Sequence, residues 1–160
     1  MHSLMLVQGL FALRVRLPSS RTAVDALVGT GGAAIACVAD VSTAVGIAAI
    51  LEHTMQAYGL PDLVVNNAGL LGPLGPLYDN DANEWWRCLE VNLLGPMRMM
   101  QAVLPGMLRR NSGRIINVAS GSGTSATSYM SAYVTSKAAL IRLTELLHWK
   151  SRPRVCECLQ

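Results

Sequence analysis

A hydroxyl, a phenol and an ammonium group occur at close spacing in the second half of this sequence. Ser120 is followed thirteen positions later by Tyr133, and Lys137 comes four residues after that, inside YVTSKAAL. Residues four apart on a helix share a face, so a helix here would stack the phenol and the ammonium one turn apart. A free phenol titrates near ~10 and is a poor base at neutral pH, but a neighbouring cation favours the phenolate. Each unit of such a shift corresponds to about 1.4 kcal/mol. A phenol beside an ammonium can pass a proton to or from an alcohol or carbonyl oxygen, while a serine hydroxyl hydrogen-bonds the same oxygen. Taken alone, Tyr-x-x-x-Lys is usually a half-buried aromatic and a solvated lysine. Ser120 ahead of it changes that balance.

These groups have to be positioned by a strand, a loop and a helix. Residues 114–119, RIINVA, form a β-branched run between Gly113 and a Ser/Gly/Thr cluster, and read as a strand. SAYVTSKAALIRLTELL reads as a helix, with apolar residues spaced at Leu140, Leu143 and Leu147. Ser120 then ends the strand at the edge where open parallel sheets bind ligands. Upstream, residues 10–17 read as a strand ended by Pro18, and Ser19 or Ser20 can cap a short helix over 23–28. Residues 33–39 are an apolar run of strand length. Ser42 can cap a helix reaching Tyr58, and residues 63–66 form the next strand. Residues 70–80 are loop, and 81–110 a long helix that bends near Gly95 and Pro96. Strands alternating with helices predict an α/β fold with a doubly wound parallel sheet. Residues 29–34 match the dinucleotide pattern G-x-G-x-x-[GA], but no strand precedes them and no crossover helix follows, so they read as a helix stop.

With 160 residues, 51% apolar and 14% charged, the chain is one domain with enough apolar surface for a covered sheet. A net charge of +3 is too small and too dispersed to argue for nucleic acid, and no nucleic-acid partner is expected. No membrane span is read, and the opening residues lack the pattern of a leader. Cys37 and Cys88 sit in apolar contexts, as buried thiols of a reducing, cytoplasmic compartment do. Cys156 and Cys158 with His148 lack a fourth ligand, so no metal site is expected.

On these residues and three further motifs the chain resembles the short-chain dehydrogenase/reductase family. Residues 62–69, DLVVNNAG, are similar to its strand and NNAG motif, and residues 90–95, EVNLLG, to its helix carrying a catalytic Asn. Asp40 and Val41 in CVADVS are similar to its adenine-facing acidic turn. The resemblance implies a Rossmann-like sheet, NAD or NADP as cofactor, and hydride transfer to or from a small alcohol or carbonyl substrate. Tyr133 would be the general acid/base and Ser120 the substrate clamp. Lys137 would be the electrostatic partner that also holds the nicotinamide ribose. Asn92 sits mid-helix, where Asn is unfavourable; the resemblance makes it distort that helix and hold a relay water on its carbonyl. Asp40 and Val41 would meet the adenine. Asn66 would pin the NNAG loop, with Ala68 and Gly69 leaving room for the cofactor.

The family's TGxxxGIG turn has no counterpart in residues 1–17, and neither its further strand nor its substrate-covering segment is read after residue 147. The domain over 1–160 is therefore expected to be partial, with the first strand and its glycine-rich turn and the last strands missing and an irregular tail over 148–160. Hydrogen bonds to a phosphate contribute about 1.5–3 kcal/mol each, so losing two or three would weaken cofactor binding by several powers of ten. The uncovered sheet predicts self-association. The alternative to an enzyme is an inactive family remnant that acts only by pairing with another subunit.

Overall fold

LVVN and RIINV, rich in β-branched residues, become the central strands. The computed structural model describes residues 4–7, 24–25, 28–150 and 156–159, with backbone alone for 4–7, 148–150 and 156–159. Leu63–Asn66 (β2) pairs in parallel with Arg114–Val118 (β3), Leu63 opposite Arg114 and Asn66 opposite Asn117. Leu4–Val7 (β1) pairs with β2 and Cys156–Leu159 (β4) with β3, giving a parallel sheet in the order β1-β2-β3-β4. A doubly wound sheet runs 3-2-1-4-5-6, and this run of neighbours corresponds to its 1-4-5-6 part.

Helices Ala44–Tyr58 (α1), Ala82–Leu89 (α2), Gly95–Arg109 (α3) and Ser131–Lys150 (α4) supply the crossovers. The steps from β2 to β3 and from β3 to β4 run the same way along the sheet. Right-handed crossovers then put α2, α3 and α4 on one face. On that face Val64, Asn66, Ile115 and Asn117 are buried, while Leu63, Val65 and Ile116 are only half-buried. Ile47 and Ile50 of α1, and Met99, Met100, Val103 and Met107 of α3, complete the core, with Leu143 and Leu147 of α4 against it.

Local chemistry sets the boundaries. Thr43 caps α1 by accepting from Gly46 N, and Gly59, at φ 77°, ends it. Ser42, expected as the cap, instead donates its hydroxyl to Asp40. Asp81 caps α2 by accepting from Asn83 N and Glu84 N. Gly113 turns the chain into β3 at φ +138°, and a Cβ there would lie 2.5 Å from Met107 Cγ. Gly113→Ala should therefore lower the unfolding free energy by about 2 kcal/mol in urea denaturation, from backbone strain and overpacking together.

Several expectations need correcting. Residues 33–39 are not a strand. Among the described residues they have no ladder partner, and Val38 is 92% exposed and Ile35 47%. A strand at that end of the sheet would pair only with a neighbour at position 2, and the candidate for it, residues 10–17, lies outside the described residues. The sheet also has a first strand, Leu4–Val7, where none was expected; the turn that follows it lies outside the described residues. The tail over 148–160, expected to be irregular, continues α4 to Lys150 and then forms β4. Residues 82–109 are helical throughout, as expected, but a π turn, Glu90–Leu94, interrupts the helix just ahead of Gly95 and Pro96 and divides it into α2 and α3. At residues 29–34 a helical turn gives way at Gly31, φ +83°, whose N–H bonds Val28 O.

Candidate active site

Lys137 is 4% exposed, and a buried ammonium needs an acceptor. It donates to Val118 O at 2.7 Å, which ties the second turn of α4 to the carboxyl end of β3. Tyr133 lies one turn earlier, with its ring centroid 5.7 Å from Lys137 Nζ. Ser120 caps a 3₁₀ turn, Gly121–Gly123, by accepting from Ser122 N at 3.2 Å. That turn packs directly on α4: a Cβ on Gly123 would stand 2.9 Å from the Lys137 carbonyl carbon and 3.1 Å from Ala138 N. The strand end and the helix face thus adjoin, although no hydrogen bond among the described residues joins Ser120 to Tyr133.

Asn92 occupies the π turn, a wider coil that accommodates a polar residue poorly suited to an α-helix. It is fully buried and saturated. Its Oδ1 accepts from Leu70 N at 2.7 Å, and its Nδ2 faces Leu70 O at 2.8 Å, Ser136 Oγ at 2.9 Å and Cys88 Sγ at 3.3 Å. The amide pairs with the Leu70 peptide as a strand neighbour would. A Cβ on Gly69 would stand 3.5 Å from Asn92 Oδ1 and 3.8 Å from Lys137 Nζ. The NNAG turn, the π turn and the lysine therefore meet at one point. A cavity of about 900 Å³ extends from Gly69 along Leu70, Leu71 and Gly72 to Arg87 and Glu90; its walls include neither Ser120 nor Tyr133.

At the end of β2, Asn66 donates to Asn117 Oδ1 at 2.7 Å, and Asn117 donates to Thr144 Oγ1 at 2.9 Å. Val41, Asn66 and Ala68 line a crevice of about 10 Å³, so the Asp40–Val41 turn borders the NNAG loop. Asp40 itself is largely occupied. Its Oδ1 accepts from Ser42 N and Ser42 Oγ, and its Oδ2 from Arg87 at 2.7 Å. The Ser42 hydroxyl and N–H, and then Arg87, hold the carboxyl down at about 2. Arg98 of α3 donates to Ser42 O, a second tie to this turn beside that of Arg87 on α2.

A carboxyl depressed from 3.8 to about 2 by folding contributes stability that is present above 3.8 and is lost as pH falls towards 2. With 47% of the side chain exposed, solvent leaves the contribution at less than about 1 kcal/mol. Asp40→Asn should therefore lower the urea midpoint slightly at neutral pH, with the difference shrinking below pH 3.8 and vanishing only as pH falls through about 2.

Arg87, Asn117 and Ser136 were not singled out by sequence. An Asn inside a β-branched strand, RIINV, was the available signal for Asn117. Ser136 lies within the YVTSK motif, but its partner is forty-four residues away. Arg87 is forty-seven residues from Asp40, and nothing local marks the pair.

The sequence profile described as short chain dehydrogenase matches residues 9–156. A short chain dehydrogenase of Pseudocercospora fijiensis is 37% identical over 134 residues, covering 82% of this chain and 43% of that protein. A 2-(S)-hydroxypropyl-CoM dehydrogenase of Xanthobacter autotrophicus is 39% identical over 120 residues, 74% of this chain and 47% of that one. Among solved structures, an NAD+-bound xylitol dehydrogenase superposes with a TM-score of 0.80 at 30% identity, covering 86% of this chain and 54% of its own. The chain spans about half the length of the relatives it matches.

Proposed function

This chain belongs to the short chain dehydrogenase family, and from that premise we propose that it is an oxidoreductase acting on an alcohol or carbonyl substrate with NAD or NADP. When bound, the nicotinamide accepts or supplies the hydride. Tyr133 exchanges the proton with the substrate oxygen, and the Ser120 hydroxyl donates a hydrogen bond to that oxygen. The Lys137 ammonium, near the Tyr133 ring, offsets negative charge on the phenolate. Asn92 keeps Leu70, and with it the NNAG turn, at a fixed distance from Lys137.

The donor set fits the nicotinamide-ribose end of such a cofactor. Gly69 leaves a Cβ-sized space beside Lys137 Nζ and Asn92 Oδ1, and Ala68 and Asn66 border the same edge. At the adenine end Asp40 accepts three hydrogen bonds, and a carboxylate has about four acceptor sites. It keeps room for one donor.

The meeting of Gly69, Asn92 and Lys137 is the observation that carries this reading. Incubating the chain with NAD+ or NADP+ and a panel of primary, secondary and cyclic alcohols tests it, through the absorbance of reduced nicotinamide. Turnover with one cofactor and at least one alcohol is expected; none with either cofactor overturns the reading. Cys88 is buried and Cys37, expected to be buried, is half-buried; both are free thiols, which supports a reducing, cytoplasmic compartment.

The alternative, an inactive remnant working through association, is favoured by one feature. Val38 and Val45 are 92% and 81% exposed. Apolar surface of that kind supports self-association whether or not the chain is active. Light scattering should show species larger than a monomer at micromolar concentration; a stable monomer contradicts it.

A further inference from the structure

Resting on the hydride-transfer reading above, we propose that Ser136 is a positioning residue of this site, coupling the π turn at Asn92 to the helix that carries Tyr133 and Lys137. Ser136 is fully buried. Its hydroxyl donates to Tyr133 O at 2.7 Å and accepts from Asn92 Nδ2 at 2.9 Å. The first bond runs back along α4, where a serine bonded to the carbonyl three residues earlier biases the local helix geometry. The second bond leaves α4 for the neighbouring helix pair, and Asn92 continues the path to both backbone groups of Leu70, next to Gly69.

One hydroxyl thus links the carbonyl of the proposed acid/base to the turn that fixes the NNAG loop. Asn92 Nδ2 has only two hydrogens and faces three acceptors. Without Ser136 it retains Leu70 O and the weak acceptor Cys88 Sγ. The amide then relaxes towards α2 and loses its hold on α4. Ser136 is fully buried and bonds Asn92 Nδ2 and Tyr133 O, so its effect passes through those two residues.

Steady-state kinetics of the full chain test this. S136A should lower kcat about 10–100-fold, the range for outer hydrogen-bond partners of a site, with the alcohol KM within about two-fold. S136T keeps a hydroxyl able to bond the carbonyl three residues back, and should return kcat to within about three-fold of wild type. In an N92A background, S136A should cost less than about two-fold more, because both changes break one path. Packing alone would make the two losses multiply and leave S136T no better than S136A, and either result overturns the proposal. A wild-type chain without turnover contradicts the hydride-transfer reading separately. The coupling is then read from urea unfolding of the same variants. Their equilibrium constants should depart from multiplicative behaviour by more than about tenfold, and agreement within about twofold overturns it.

Discussion

Tyr133→Phe should remove the proposed hydride transfer and leave the chain folded. The change deletes one oxygen from a half-buried ring, and among the described residues that oxygen makes no hydrogen bond on which the fold depends. The ring keeps its place one turn from Lys137, and Lys137 keeps its bond to Val118 O. What disappears is the hydroxyl proposed to exchange a proton with the substrate oxygen. General acid–base catalysis contributes about 10²–10⁴-fold, so kcat should fall by at least that factor. The unfolding midpoint should move by less than about 0.5 kcal/mol equivalent. Kinetics and urea denaturation on one preparation separate the two effects, and full activity in the variant refutes the acid/base role.

Asn92→Ala should damage both stability and activity. The alanine leaves Leu70 N–H without its acceptor and removes the donors to Leu70 O and Ser136 Oγ, inside a buried turn. Orphaned buried groups cost about 1–3 kcal/mol each, and with partial relaxation the loss should be about 2–4 kcal/mol. The π turn would lose its polar occupant and could revert towards regular helix, shifting the NNAG turn from Lys137. Activity in the remaining folded protein should fall at least about tenfold. An alanine variant as stable and active as wild type would show that Asn92 is only a tolerated polar residue.

How much of this was legible in the sequence depends on whether a residue's partners are local. β2 and β3 were readable because a central strand, covered on one face, selects β-branched residues whichever neighbour it pairs with. The Asn set mid-helix in EVNLLG signalled a conflict between side chain and backbone, but the distortion was expected only from the family resemblance and the bend was placed at Gly95 and Pro96, not at the π turn. The edges were not readable. Cys156–Leu159 mixes a charge with thiols, and its strand state comes from pairing with β3. Conversely, residues 33–39 have a strand's composition and no ladder partner among the described residues. Asp40 was assigned to the cofactor from its motif. Only the fold brings Arg87 to it, leaving the carboxylate one acceptor site.

Cofactor binding at Lys137 is the central claim, and nicotinamide-fluorescence titration of NADH and NADPH against wild type and Lys137→Met tests it most directly. The methionine fills the channel of the lysine stem but cannot hold a ribose or compensate a phenolate. Weak but saturable binding of one reduced cofactor by wild type, in keeping with the absence of a TGxxxGIG turn from residues 1–17, and a further loss of at least about tenfold in Lys137→Met, is the expected result. No saturable signal with either cofactor, or equal affinity in both proteins, would contradict it.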